Sequence, residues 1–359
     1  MERREFLKDS AKLSALARFG LGGFVVGASK GEAEGRHDSI PDEPPTSHIG
    51  RPVRVVSISF RMGKPLEQIS EWVAQEGARG ADIIVLPETF RGQDDNGSEE
   101  PLNGATVTTL AGLAKRHQTY IACPIDRKDG NRRFNSVVLL DRKGQVVCVY
   151  NKVFPYWSEY DIKPAVEPGQ EVPVHQADFG RVGFATCFDV NFPEVWQRLA
   201  DLEAELVIWP SAYSAGASLQ AHALNHHFYI VTSTQTPDCL VYDITGERLL
   251  YSHDQDINIS RVTLDLDRGI YHEDFNIPKR DKLLKGRAED VMQEKWMKLE
   301  QWFVLKAKRP GVSARALARE YGLEELRGYI ARSRRGIDKR RGWEFAKKSW
   351  KEPTLSQSS

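Results

Sequence analysis

Three residues of this 359-residue chain could together hydrolyse a carbonyl compound: the carboxyl of Glu88, the amine of Lys152 and the thiol of Cys187. Each closes an apolar, strand-like run: ADIIVLPE ends in Glu88, VVCVYN precedes Lys152 and RVGFATC ends in Cys187. Catalytic groups often sit where a buried strand ends, because the strand fixes them while the following loop admits substrate. Singly they are unremarkable, since a loop carboxylate, a solvated lysine and a small core cysteine are common. Their shared placement, with the strings around them, makes one site the better reading. Cys187 would be the nucleophile, because a thiolate divides a difficult amide hydrolysis into acylation and deacylation. Passing a thiol proton (reference pKa near 8.5) to a carboxylate (near 4.3) is uphill by about 4 units, roughly 6 kcal/mol, and the site must close that gap. Glu88 would accept that proton, give one to the departing amine and later activate water. Lys152 and the backbone N–H of Phe188 would hold the oxyanion.

The elements that must position these groups follow from hydrophobic periodicity. From Val53 to about Leu266, short β-branched runs alternate with amphipathic helical windows, the signature of an α/β architecture. Strands are expected at Val53–Phe60, Ala81–Glu88, Tyr120–Pro124, Ser136–Asp141, Val146–Asn151, Val172–Phe179, Arg181–Cys187, Leu206–Pro210, Tyr229–Ser233, Leu240–Asp243, Arg248–Tyr251 and Ile259–Leu266. Helices are expected around Leu66–Val73, Val107–Ala114 and Glu194–Glu203. Consecutive hairpins beside crossovers predict mixed sheets with helices outside.

GADIIVLPETF around Glu88, YNKVFPYWSEYD around Lys152 and GRVGFATCFDVNFPEVWQRLADLEAELVIWPSAY around Cys187 resemble, in order, the three motifs of the carbon-nitrogen hydrolase (nitrilase) superfamily. The resemblance spans about Val53 to Leu266, where HHFYIVTSTQ and DITGERL are similar to the last core strands. It implies a four-layer α-β-β-α sandwich, a Glu-Lys-Cys triad on Glu88, Lys152 and Cys187, and a homodimer or larger assembly. It also implies a second active-site glutamate before the Pro168-Gly169 turn, best matched by Glu159. The family's common Cys-Tyr-Asp-x-Arg-Phe-Pro-Glu string reads CFDVNFPE here, with Asn191 where arginine is frequent, so recognition of a carboxylate-bearing substrate is open. Phe188-Asp189 after the cysteine favours amide or carbamoyl substrates over nitriles. Tyr156, Trp157, Asp189, Asn191 and Tyr213 are the expected substrate-binding residues, with Phe154 as further aromatic lining. No cofactor is expected.

Four domains are expected: a signal peptide at 1–33, a linker at 34–52, the hydrolase domain at 53–279 and a basic helical extension at 280–359. The start MERREFLKDS, with Arg3-Arg4 before Phe6 and a mildly apolar stretch from Leu13 to Val26, resembles a twin-arginine export signal with small residues at Ala28 and Ala33 for cleavage. It is too short and interrupted for a stable membrane span and points to the bacterial periplasm; the alternative is a basic N-terminus without an address, in a cytoplasmic protein. Cys123, Cys148, Cys187 and Cys239 are too few and scattered for a disulfide framework. The balance of 50 basic and 50 acidic residues excludes global attraction to nucleic acid or anionic membrane. Charge is nevertheless uneven, because Lys279 to Ser359 carries 22 Lys or Arg against 11 Asp or Glu. Within that tail, Met292, Trp296, Leu299 and Phe303 form one helical stripe, and Leu317, Tyr321, Leu326 and Ile330 form another that faintly resembles a helix-turn-helix. DNA binding by these helices, or a non-catalytic scaffold that kept the fold, are the rival functions; a helical hairpin packed on the domain or its dimer mate is preferred. His222 and His226 share a helical face but have no third partner at metal-ligand spacing, so packing is expected there and no catalytic metal.

Overall fold

The computed structural model describes residues 49–94 and 97–342, all within the unit Gly35–Ser359. The expected export signal, most of the expected linker and the last residues of the tail lie outside the described residues. Among the described residues, no helix is long and apolar enough to cross a membrane.

Two six-stranded mixed sheets face each other. The first has the order β12-β1-β2-β3-β4-β5, from β1 (Pro52–Phe60), β2 (Ile83–Val85), β3 (Tyr120–Asp129), β4 (Arg132–Leu140), β5 (Val146–Asn151) and β12 (Ile257–Asp265). The second has the order β11-β10-β9-β8-β7-β6, from β6 (Val174–Ala177), β7 (Gly180–Phe184), β8 (Leu206–Ser211), β9 (Tyr229–Thr234), β10 (Asp238–Tyr242) and β11 (Arg248–His253). Helices α1 (Leu66–Ala78) and α2 (Ala105–His117) cover the first sheet, and α3 (Pro193–Asp201) and α4 (Ala217–His226) the second. This is the four-layer sandwich expected.

The alternation of side chains along β1 shows how the layers are built. Val53 and Val55 point into the core between the sheets, while Val56, Ile58 and Phe60 pack with Ile69 and Val73 of α1. In β2, Ile83 and Val85 join the inter-sheet core and Ile84 packs toward the helices, so a strand covered on both faces reads as one apolar run. Ser57 and Ser59 follow on the inward face and donate to the Thr232 and Asp238 carbonyls, which satisfies hydroxyls that would otherwise be costly to bury.

Beyond β12 the chain forms β13 (Gly269–His272), α5 (Ile277–Gly286), the hairpin β14 (Val291–Met297) and β15 (Trp302–Ala307), then α6 (Ala314–Glu320) and α7 (Leu326–Arg341). The first stripe expected to be helical is therefore a hairpin. A helix would have put Met292, Trp296, Leu299 and Phe303 on one buried face, yet Leu299 is 95% exposed at the hairpin tip and only Phe303 of the four is buried. The deciding signal is the unbroken run Trp302–Leu305, buried on both sides as the central strand between β13 and β14. The second stripe is helical as expected, broken into α6 and α7 near Gly322, whose φ of 73° ends the first helix.

The extension is not a detachable module. Its sheet includes β13, and the expected boundary at 279 falls inside α5. Asp267 accepts from Ser313 Oγ and Ala314 N at the start of α6, and Glu205 of the core bonds Arg51 and Arg315. Arg51, at the end of the expected linker, is thus tied into the fold, as is Ile49 through a bridge to Pro310. A groove of about 1240 Å³ runs between α3, α4 and α7, away from Cys187 and lined by several arginines including Arg327 and Arg334.

Candidate active site

Glu88, Lys152 and Glu159 come together from three loops. β2 ends at Val85, and Glu88 lies just beyond it, 3% exposed. Lys152 follows β5 directly and its N–H still donates to the Asn135 carbonyl of β4 at 2.8 Å, so the sheet registers it. Glu159 sits in the short 3-10 turn Trp157–Tyr160, where its Oε2 accepts from the Tyr156 N–H at 2.6 Å. Lys152 Nζ donates to Glu88 Oε1 at 2.8 Å and to Glu159 Oε2 at 2.7 Å. The Pro168-Gly169 turn closes against this corner through Gly169 N–H to the Lys152 carbonyl, 2.8 Å. A Cβ at Gly169 would lie 2.1 Å from the Asn151 carbonyl oxygen, so the approach requires glycine.

Cys187 lies three residues past the end of β7 proper, at the first position of the 3-10 turn Cys187–Asn191. Its φ of 47° is left-handed, a conformation costly for a residue with a side chain and often held at functional sites. Two bonds fix it: Trp209 Nε1–H donates to the Cys187 carbonyl at 3.3 Å, and Asp189 grips the turn. The fully buried Asp189 carboxyl accepts from Thr186 N–H, Phe154 N–H and Tyr150 O–H at 2.8, 2.9 and 2.6 Å. Asp189 was expected to touch substrate; the structure instead makes it the clamp that joins the cysteine turn to the lysine loop, with no face toward solvent. Burial pushes its pKa up to about 6 despite those donors.

The sulfur shares its surroundings with Glu88. Ala212 N–H donates to Glu88 Oε2 at 2.8 Å, and Ser211 and Ala212 also hydrogen-bond Cys187. Burial and the Glu88 charge push the thiol up to about 12, with Lys152, Ser211 and Ala212 pulling the other way. For Lys152, burial favours the neutral amine, but Glu88, Cys187 and Glu159 outweigh it and hold the ammonium above its ordinary value. The site is therefore a neutral thiol beside a firmly charged lysine.

Asn135 was missed by the sequence reading. Its Nδ2 donates to Glu88 Oε1 at 2.7 Å and to Glu159 Oε1 at 2.9 Å, so one amide spaces both carboxyls around Lys152. Its only sequence signal is a polar residue inside the otherwise buried β4, between Phe134 and the apolar run after Ser136. Ser211 and Ala212 were likewise hidden, at the end of a strand that reads as core.

Of the other expected residues, Tyr156 and Trp157 are exposed beside the site, Phe188 is half-buried with its ring 5.3 Å from that of Tyr156, and Phe154 stacks on Phe192 at 3.7 Å. Tyr213 follows Ala212, and its hydroxyl, pushed up chiefly by burial, is hydrogen-bonded to Asn191. Asn191 also donates to the Phe188 carbonyl at 3.1 Å. His222 stacks on Trp196 at 4.2 Å with a ring nitrogen 2.9 Å from the Val190 carbonyl oxygen, which is packing.

Residues 59–270 match the family model for carbon-nitrogen hydrolases. The chain is 28% identical over 195 residues to a deaminated glutathione amidase of Synechocystis, covering 48% of this chain and 71% of the relative. It is 29% identical over 194 residues to the mouse protein of that name, covering 45% of this chain and 58% of the relative, so it spans little more than half of the latter. Among solved structures, a mutant amidase of the nitrilase superfamily from Nesterenkonia AN1 superposes with a TM-score of 0.54 at 22% identity, over 62% of this chain and 92% of that one. With the sandwich in place and the motif-bearing segments inside the matched region, the chain belongs to the carbon-nitrogen hydrolase family.

Proposed function

We propose that this protein hydrolyses the C–N bond of a small non-peptide amide through a thioester on Cys187. The observation that carries this reading is the meeting at Ala212 of the Cys187 thiol and the Glu88 carboxyl, with the Lys152 ammonium on that same carboxyl. Because the thiol is held neutral, attack and deprotonation go together. Sγ bonds to the amide carbon as its proton passes to Glu88, and the carbonyl electrons move to oxygen, where Lys152 and the Phe188 N–H supply donors. Collapse breaks the C–N bond while Glu88 returns the proton to the leaving nitrogen. Water, deprotonated by Glu88, then adds to the thioester and releases acid and free thiol. Asn135 and Glu159 hold Lys152 and Glu88 in register through both halves.

N-carbamoyl compounds would follow the same route with carbamate as the acyl product, and they form the companion substrate arm. Export through the Arg3-Arg4 signal and assembly as a homodimer are part of the proposal; the family resemblance supports the second and the leader sequence the first. The test is a panel of small amides and N-carbamoyl amines assayed for ammonia, with quenched samples weighed for an acyl adduct on Cys187. Turnover with that adduct is expected, and Cys187→Ala should lose both while keeping the wild-type circular dichroism spectrum. Undiminished turnover by Cys187→Ala would refute the proposal.

A further inference from the structure

The geometry points to a neutral amide with a flat aromatic or apolar body as the substrate class, an inference that rests on the amide-hydrolase reading above. Exposed aromatic side chains stand on the segments that carry the cluster. Tyr156 and Trp157, on the Glu159 turn, are 41% and 49% exposed, their rings 5.7 Å apart, with Tyr156 edge-on to Phe188, the residue after Cys187. Tyr213, next to Ala212, is 39% exposed and set edge-on to the buried Trp209 at 5.7 Å. Large aromatic side chains left open to water beside a nucleophile are costly unless something covers them, and aromatic lining with a few polar groups is the usual make-up of a small-molecule site. Rings held edge-on by neighbours keep their faces available to a flat partner at little entropic cost.

Charge argues in the same direction. The cluster sets two carboxyls, Glu88 and Glu159, against one ammonium, and that ammonium already donates to both. Asn191 is neutral and engaged with the Phe188 carbonyl and Tyr213. The charged groups that bear on Tyr213 are Glu88 and Lys152, and those on Tyr160, also exposed, are Glu159 and Lys152. All belong to the cluster itself. A substrate bearing its own carboxylate would meet the like charge of Glu88 and Glu159, with Lys152 already engaged by both, which is a device for rejection as much as for choice.

The experiment compares 3-phenylpropionamide with succinamate, in turnover by the wild type and in direct calorimetric binding to the Cys187→Ala protein. The expected preference for the phenyl compound is about tenfold or more in kcat/KM and in affinity, the scale on which apolar pockets discriminate. Trp157→Ala should lower kcat/KM for 3-phenylpropionamide about tenfold more than for propionamide, mainly through KM, and Trp157→Phe, which keeps a flat ring, should restore most of it. Equal or tighter binding of succinamate, or equal losses on both amides, would overturn the inference. If no amide turns over, the hydrolase reading falls by itself, while binding to the Cys187→Ala protein still decides the ligand class.

Discussion

Around Cys187 one ammonium is shared by two carboxyls: Lys152 donates to Glu88 and Glu159 at 2.8 and 2.7 Å. At the seam between core and extension the arrangement is inverted, since Glu205 is shared by the guanidiniums of Arg51 and Arg315, and Arg315 also grips Glu325 at 2.6 Å. Both are dense ionic clusters with strongly shifted groups; Arg315, like Lys152, is held above its ordinary value by its carboxylates against the pull of burial. The difference lies in what the charges surround. At the seam the cluster joins β8's approach, α6 and the chain's described start, and holds no nucleophile. At the strand ends it meets, at Ala212, a thiol on a left-handed residue, with Lys152 1% exposed. Perturbed ionisation marks a site only where geometry also offers a reacting atom.

Removing a carboxylate from each cluster breaks the comparison most sharply. Glu88→Gln keeps the shape but cannot take the thiol proton, and an amide that accepts from Ala212 turns its NH2 toward the Lys152 and Asn135 donors. The expected loss in kcat is about a thousandfold, within the usual range for removing a general base, with some fall in melting temperature from the weakened buried pair. Glu205→Gln should leave kcat where it was. Steady-state kinetics beside thermal melts reads both, and a comparable kinetic loss in the two variants would erase the distinction.

Asp189 offers a smaller, pH-dependent effect. Burial raises its pKa from 3.8 to about 6, so the folded protein binds a proton more readily than the unfolded chain across that window. Ionising the clamp therefore costs stability as pH rises from about 4 to about 6. Activity runs the opposite way: below about pH 6 the protonated carboxyl faces three donors with one acceptor position fewer, and the Cys187 turn loosens. An acid limb in kcat near pH 6 is expected. Asp189→Asn should lower kcat about tenfold and remove that limb, as a pH profile from 4.5 to 8 would show; an unshifted limb would assign it to another group.

How far these features could be read in advance depended on whether a residue's role was local. The strands before Glu88 and Cys187 were legible because burial on both faces leaves an apolar run that stops abruptly at a polar group, whereas Lys152 follows a half-exposed edge strand that still reads as apolar. Asp189 misled because it lies two residues after Cys187, the proposed nucleophile, whereas its partners, Tyr150 and Phe154, belong to another strand and loop. Asn135 acts across 47 and 24 residues of separation, which periodicity cannot register. The extension was misread for a related reason. Residues at i and i+4 fit a helix as long as their partners are ignored, but Trp302–Leu305 needed β13, laid down thirty residues earlier, to become a central strand.

The seam carries the mildest prediction, and it separates support from chemistry. Glu205 is 12% exposed and accepts from Arg51, Arg315 and the Arg181 N–H, the last at 3.0 Å. Glu205→Ala leaves two guanidiniums without that carboxylate, although Arg315 retains Glu325 and Arg51 the Leu266 carbonyl. Hydrogen bonds to charged groups contribute about 1.5 to 3 kcal/mol each when buried, and the remaining partners and partial exposure bring the expected net cost to about 2 kcal/mol. In a chain of this size that lowers the melting temperature by about 4 °C. Hydrogen exchange should quicken first in α6 and α7, since those helices hang on Arg315 and on the Asp267 cap, while amide turnover at 25 °C stays unchanged. A fall in turnover without a fall in melting temperature would mean that the extension reaches the catalytic loops, and the two regions would then have to be treated as one machine.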